Sequence, residues 1–267
     1  MIYKFFTYCL FVFLFLSPHY LSINKITQPV FIIWNVGQGS WSSLVTNKAC
    51  FHFDMGGEGY NKNNAIIQKC KTKQNILLLT HSDKDHIKFT YLFKKNRIKF
   101  CLYKKPREKI KKYNKKYLRN LQLCTKQKLL LLKDNGIVEI PFAISKKITF
   151  FKKKSTPLST NFLSRVFLIK NLILVGGDST KKAELLWKNN LPYPEKIKYF
   201  VLDHHGSKNS NHIKLFQKLS HLIMAIASAK KSRYKHPHKE VVNLLKKQKV
   251  ALLQTEIWGS IYIYLKK

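Results

Sequence analysis

The ten residues THSDKDHIKF, Thr80 to Phe89, follow directly on the apolar run Ile76–Leu79. A continuous aliphatic run bounded by polar residues is the pattern of a strand buried on both faces, and such a strand needs layers packed on both sides of its sheet. The strand end is a rigid platform, and His81, Asp83, Asp85 and His86 stand in the loop just beyond it. Imidazoles and carboxylates at neighbouring positions on a platform are donors for a divalent cation. The chain has 13 Asp and Glu against 50 Lys and Arg, so two acids beside two histidines within six residues call for a chemical role.

The remaining acids reinforce this reading. Pro29–Asn35, Trp41–Thr46 and Ala49–Asp54 read as strands, the last closing on Met55-Gly56-Gly57, with a short helix over Asn64–Lys71. A helix is expected from His86 onward. Farther on, a hairpin of Arg165–Ile169 and Leu172–Val175 turns at Lys170-Asn171. After it come a helix near Lys181–Trp187, a strand at Lys198–Leu202, a helix near Asn211–Leu219 and a strand at Leu222–Ala227. A helix over His238–Lys246 and strands at Val250–Gln254 and Ser260–Leu265 complete the order, which is that of α/β layers in one domain over 29–267. Asp54, Asp178 and Asp203 each end a strand. Carboxylates at successive strand ends place an active site along one edge of the layered sheets.

Formal net charge is +37. Two readings of that charge stay open: a phosphate-rich partner such as nucleic acid or an anionic surface, or a lysine-rich solvated exterior. The segment Lys94–Lys128 concentrates it, with Glu108 its one acid and Tyr103, Tyr113 and Tyr117 interleaved. Stacking on bases is one role for those tyrosines; facing the core from a solvated helix is the one favoured here. At the amino terminus MIYK precedes the apolar stretch Phe5–Leu16 and Ser17-Pro18. This is the pattern of a secretory signal over residues 1–24, with an uncleaved anchor as the alternative, and it implies a secreted or periplasmic protein. Cys9 would leave with the signal. Cys50, Cys70, Cys101 and Cys124 contain no CxxC pair and fit either one or two disulfides or small buried side chains.

Seven short motifs occur in order: VGQGS (Val36–Ser40), FDMGG (Phe53–Gly57), HSDKDH (His81–His86), NFLS (Asn161–Ser164), GGD (Gly176–Asp178), HHGSKNS (His204–Ser210) and HPH (His236–His238). Together they resemble metallo-β-lactamase fold hydrolases, most of all the soluble hydrolase domain of ComEC-type DNA-uptake proteins. The resemblance covers the chain from about residue 30 to its end.

It implies a four-layer αββα sandwich holding two divalent metal ions, zinc or manganese. By the same resemblance His81 and Asp83 hold one ion, Asp85 and His86 the other, and Asp178 bridges them. His205 matches the last metal ligand; His204 and His236 would face the substrate and, with Asp85, serve catalysis. Asp54 reads either as a carboxylate orienting a ligand or as a turn cap, and Asn161 and Ser164, standing in the region ahead of the bridging aspartate, as further residues supporting the ligands. Ser207, Lys208 and Ser210 are candidate donors to a substrate phosphate, and His238 a helix-start residue. Departures from the family pattern are Asn35 and Ser40 where related sequences carry Asp, Lys235 where they carry Gly, and no histidine ahead of the bridging aspartate. The function implied is an exported metal-dependent phosphodiesterase, with DNA or RNA as partner. A small phosphoester or lactone hydrolase, and a non-catalytic binder of nucleic acid or anionic surfaces, are the alternatives.

Overall fold

The computed structural model describes residues 28–59, 65–142 and 158–266. The expected signal over residues 1–24, with Cys9, lies outside the described residues. Two six-stranded sheets face one another. The first contains β1 (Val30–Ile33), β2 (Ser42–Val45), β3 (Ala49–Phe53), β4 (Gln74–Leu78), β5 (Phe100–Leu102) and the last strand, β12 (Ile261–Tyr264), in the order β12-β1-β2-β3-β4-β5. The second contains β6 (Ile137–Glu139), β7 (Phe167–Ile169), β8 (Ile173–Val175), β9 (Tyr199–Val201), β10 (Met224–Ala227) and β11 (Ala251–Gln254), in the order β11-β10-β9-β8-β7-β6. In each sheet an antiparallel half passes into a parallel one: β3-β4-β5 in the first, β8-β9-β10-β11 in the second.

Alternation along each strand explains the layers. In β1 the residues Phe31 and Ile33 point between the sheets, where they join Phe53, Ile76, Leu78, Phe167, Val175 and Ile226 in one core. Their neighbours Val30 and Ile32 face outward against helix residues Ile66, Ile67 and Phe93. The second sheet does the same, turning Leu168, Leu174 and Phe200 onto Ala183, Trp187, Phe216 and Leu245. Every strand residue of β1, β2 and β3 is therefore buried, as strands covered on both faces must be. The result is the αββα sandwich.

Three features differ from the sequence expectation. Residues 94–128 are not one solvated helix: they contain β5, a 3-10 turn at Lys112–Asn114 and a short helix at Lys115–Leu118, and the helix Lys126–Asp134 starts at their end. The strands β5 and β6, at three residues each, are too short for periodicity to mark them. Tyr103 packs edge-on against Phe167 as expected of a core-facing ring, but Tyr113 is 60% exposed. Finally, the helix expected from His86 begins earlier, at Lys84–Ile87, and a second follows at Thr90–Lys95. The break falls where the Phe89 N–H donates to the Met55 carbonyl, outside its own helix.

Candidate metal centre

The site lies beyond the carboxyl ends of β3, β4, β8, β9 and β10, the position at which parallel strands deliver loops to a shared crevice. Backbone hydrogen bonds lace the motif loops together. Ser40 N–H donates to Asp85 O, Gly56 N–H to Ser40 O, and Met55 N–H to His86 O. A Cβ on Gly56 would overlap the Asp85 carbonyl, so glycine is what lets the FDMGG turn lie under the HSDKDH loop. From the other sheet, Ser228 Oγ donates to Gly39 O at 2.8 Å and the Lys230 N–H to Gln38 Oε1 at 3.1 Å. The VGQGS turn is thus a bracket between the sheets.

The donors converge on Asp178. Its Oδ1 lies 3.0 Å from His86 Nε2 and 3.7 Å from His205 Nε2. Its Oδ2 lies 3.9 Å from His81 Nε2 and 3.6 Å from His204 Nε2. Asp85 Oδ2 is 3.4 Å from His205 Nε2, and Asp83 Oδ2 is 3.7 Å from His81 Nε2. Two donors on one ion with bonds near 2.1 Å stand about 3.4 Å apart in tetrahedral geometry, the spacing seen here. His81 Nε2 and His205 Nε2 are buried without a hydrogen-bond partner, and His86 Nε2 and Asp178 Oδ1 have only each other, an arrangement that is costly unless a cation takes these lone pairs. His81, His86 and Asp178, and Asp85, His86 and His205, form two such donor groups. The residues fit metal: His86 and His205 face one oxygen of Asp178, with Asp85 beside His205, and His81 faces the other, while Asp83 stands 3.7 Å from His81 outside both groups, its oxygens held by Lys111 and Thr160.

Neighbouring groups fix these donors. Asp54 Oδ2 accepts from His86 Nδ1–H at 2.7 Å, and its two oxygens also accept from the Thr80 N–H and hydroxyl, each at 2.8 Å. It therefore both orients a ligand and caps a turn, which merges the two readings of its sequence position. With its hydroxyl proton committed to Asp54, Thr80 accepts from His81 Nδ1–H at 3.0 Å, leaving Nε2 unprotonated. Ser164 Oγ stands 3.4 Å from His81 Nδ1 and accepts from the Asp178 N–H at 3.2 Å. Asn161 Nδ2 approaches His204 Nδ1 at 3.4 Å.

Lysine 111 was not legible as a site residue. Its Nζ lies 2.7 Å from Asp83 Oδ1, while Thr160 donates to Asp83 Oδ2 at 2.8 Å. Glu108 accepts from the Ser82 N–H at 2.7 Å and Asn114 donates to Ser82 O at 2.8 Å, so the lysine-rich segment grips the HSDKDH loop. Its nearest sequence signal is Glu108, a lone acid in a run of cations.

Charges in the cluster support one another. Burial opposes protonation of His86, but the carboxylates of Asp178 and Asp54 raise its pKa well above the usual value. Burial likewise opposes ionisation of Asp178, and His86 and His205 hold its carboxyl well below the usual range. Burial, with the charges of His205 and His204, pushes His236 down to about 4. His204 and His205 both take left-handed backbone, φ 49° and 57°, as does Asp54 at 57°. Non-glycine residues held there are characteristic of functional sites.

Three expected positions read differently in three dimensions. Asp203 does not join the metal donors; it is fully buried, its carboxylate sits against Gly176, and burial together with Glu184 raises its pKa well above normal. Glu184 in turn accepts from the Asn211 and His212 N–H groups at 2.5 and 2.6 Å, anchoring the loop that carries His204 and His205. Ser207 is buried and accepts from the Asn209 N–H, and Ser210 is fully buried, so of the three candidate phosphate donors only Lys208 is exposed. His238 caps the helix Lys239–Lys247 by accepting from the Glu240 N–H. Asn35 Oδ1 accepts from the Gly37 N–H at 3.4 Å, stabilising its own turn.

Two facing sheets flanked by helices, with a His/Asp donor set at the loop edge, define a metallo-β-lactamase fold with a candidate metal site. No protein-family profile matches the chain. Over 198 residues it is 29% identical to ComE operon protein 3 of Bacillus subtilis (strain 168), a similarity covering 70% of this chain and 24% of that protein. The chain thus spans about a quarter of the length of the curated relative it matches. Igni18, a novel metallo hydrolase from the hyperthermophilic archaeon Ignicoccus hospitalis, aligns over 89% of this chain and 100% of its own with TM-score 0.54 and 13% identity. YhfI from Bacillus subtilis, a metallo-β-lactamase fold protein, aligns over 90% of this chain and 100% of its own with TM-score 0.45 and 9% identity.

Proposed function

We propose that this chain is an exported metal-dependent phosphodiesterase that acts as a nuclease on DNA or RNA. The observation that carries the reading is the set of buried donors around both oxygens of Asp178. His81, Asp83, Asp85, His86, Asp178 and His205 would hold two divalent cations, zinc or manganese, which when bound supply an activated water and charge neutralisation at a phosphoryl group. Around them the chain's own residues have separable tasks. Asp54 keeps the proton of His86 on Nδ1 so that Nε2 is free to bind. Lys111 and Thr160 hold Asp83 in place. His236, neutral near pH 7, stands with its ring 5.9 Å from that of His204, where it can donate an N–H to a phosphoryl oxygen without adding charge.

Two further observations support the finer points. A net charge of +37 favours a polyanionic substrate. The cysteines pair as Cys50–Cys70 and Cys101–Cys124, which suits an oxidising compartment outside the cytoplasm. Among the described residues no helix is long and apolar enough to cross a membrane.

The test is hydrolysis of end-labelled single- and double-stranded DNA with manganese, zinc or chelator, beside Asp178→Asn. Metal-dependent cleavage should fall by at least about 100-fold in the variant, since even groups that only orient a ligand are worth 10–100-fold. Cleavage of small phosphoesters or lactones alone would move the chain to small-molecule hydrolysis. Stoichiometric metal with no turnover on any of them would make it a binding protein.

A further inference from the structure

The segment KKSRYK, Lys230–Lys235, leads straight into His236 and carries four cations in six residues. Its helical turn, Lys231–Tyr234, stands between two cavities. One, of about 390 Å³, is lined by Asp85, Lys84, Lys88, Glu58, Arg233 and Tyr234, and so opens directly on a metal-donor carboxylate. The other, of about 960 Å³, has Lys231, Lys235 and Lys239 in its wall. Tyr234 is 54% exposed. Its ring centroid lies 6.0 Å from that of His236 at an interplanar angle of 36°, and His236 lies 5.9 Å from His204. The rings of Tyr234, His236 and His204 thus neighbour one another in succession, and His204 Nε2 lies 3.6 Å from Asp178 Oδ2. Arg233 lies 5.4 Å from the Tyr234 centroid, and Glu58, the other acid in the smaller cavity, pairs with it at 3.1 Å.

We propose that Tyr234, with Arg233 on its ring, is a stacking subsite for an unpaired nucleobase beside the phosphodiester at the metal centre. This rests on the proposed nuclease reading and deepens it to strands whose base is free at that position. The chemistry of the lining selects such a ligand. An acidic peptide would use the cations and leave the exposed ring without a role. A nucleotide offers both a π-face for Tyr234 and a backbone phosphate for Lys84 and Lys88, and base stacking on an aromatic beside a cationic track is how single strands are held without sequence readout.

The test is binding of a single-stranded oligodeoxynucleotide of about eight residues carrying the fluorescent base 2-aminopurine, in chelator so that nothing is cleaved. An abasic strand of equal length is the comparison, and wild type, Tyr234→Phe and Tyr234→Ala are the proteins. Fluorescence should be quenched on binding to wild type and Tyr234→Phe. Tyr234→Ala should weaken the base-bearing strand at least about fivefold and leave the abasic strand unchanged. Equal affinity of Tyr234→Ala and wild type for the base-bearing strand overturns the subsite, as does equal weakening of both strands. Cleavage is scored separately with manganese. Tyr234-dependent stacking without cleavage keeps the subsite and removes the nuclease reading; cleavage with Tyr234-independent binding does the reverse.

Discussion

His52 illustrates how a titratable residue can be structural while its neighbours are functional. It sits in β3, fully buried, close to Cys50 and Cys70, and the three form a donor group on distance alone. The disulfide takes both sulfurs, and the ring is saturated: Nδ1 meets Ser43 Oγ at 2.8 Å and the Trp41 Nε1–H at 3.3 Å, while Nε2 meets Asn75 Oδ1 at 3.1 Å. Burial lowers its pKa to about 4, with Asn75 pulling the other way. Between about pH 4 and 6.5 the unfolded chain then binds a proton that the folded chain does not, so stability is lost as pH falls through that window, on the order of 3 kcal/mol in all. Thermal melts at pH 7 and pH 4.5 should show a smaller drop for His52→Gln than for wild type. Equal drops in both would remove His52 as the cause. His81 and His86 differ from His52 in one respect: each has Nδ1 held and Nε2 turned to the metal cluster, without a partner in His81 and facing only Asp178 in His86.

At the scale of elements, the two disulfides do what the thin outer layer of the first sheet cannot. Cys50 in β3 is tied to Cys70 at the end of the helix Ala65–Cys70, closing a loop with sequence separation 20. Cys101 in β5 is tied to Cys124, with separation 23, beside the bridge that pairs Leu102 with Leu123. Helices of four to six residues would not hold their place by local hydrogen bonding alone. Each cross-link should contribute about 3 kcal/mol by restricting the unfolded chain. Replacing either pair by serines should lower the melting temperature, and reductant should no longer affect the protein lacking both. A wild type whose melting is indifferent to reductant would show that the cysteines are not paired in solution. The lysine-rich segment is tied to β5 through Cys124 as well, while Glu108 and Asn114 hold the stretch around Lys111 to Ser82.

For the whole molecule the dominant property is charge. A net +37 is large enough that binding to any polyanion should release many counterions. Affinity for nucleic acid should fall steeply with salt, by about a hundredfold or more between 50 and 200 mM, for the wild type and for an Asp178→Asn variant alike. Filter binding across that range checks it. A flat response would show that the lysines serve as a solvated exterior. The Tyr234 subsite adds a stacking term that salt does not screen, so its effect should persist at the high end of the range.

Much of this protein can be read along the chain. Strands such as Phe31–Ile33 and Ile76–Leu78 are marked by unbroken apolar runs, because burial on both faces leaves no polar alternation. The candidate donors are legible for a related reason: acids are scarce, so Asp83, Asp85 and Asp178, with His81 and His86, stand out where strands end, and the structure gathers all of them but Asp83 into two donor groups. What the chain did not disclose were relations between distant segments. Lys111 looks like its neighbours until the fold brings it to Asp83, and Asp203 looks like a metal donor until Glu184 and Gly176 close over it. Cysteine pairing was undecided for the same reason, since spacing does not reveal which sulfurs face each other. Periodicity and composition record how each residue meets its local surroundings. Which charge meets which ligand depends on separations of 28 residues between Lys111 and Asp83, or 32 between His86 and Asp54, which the pairing of β3, β4 and β5 in the first sheet closes, and on the packing of the second sheet that brings Asp178 and His205 to them.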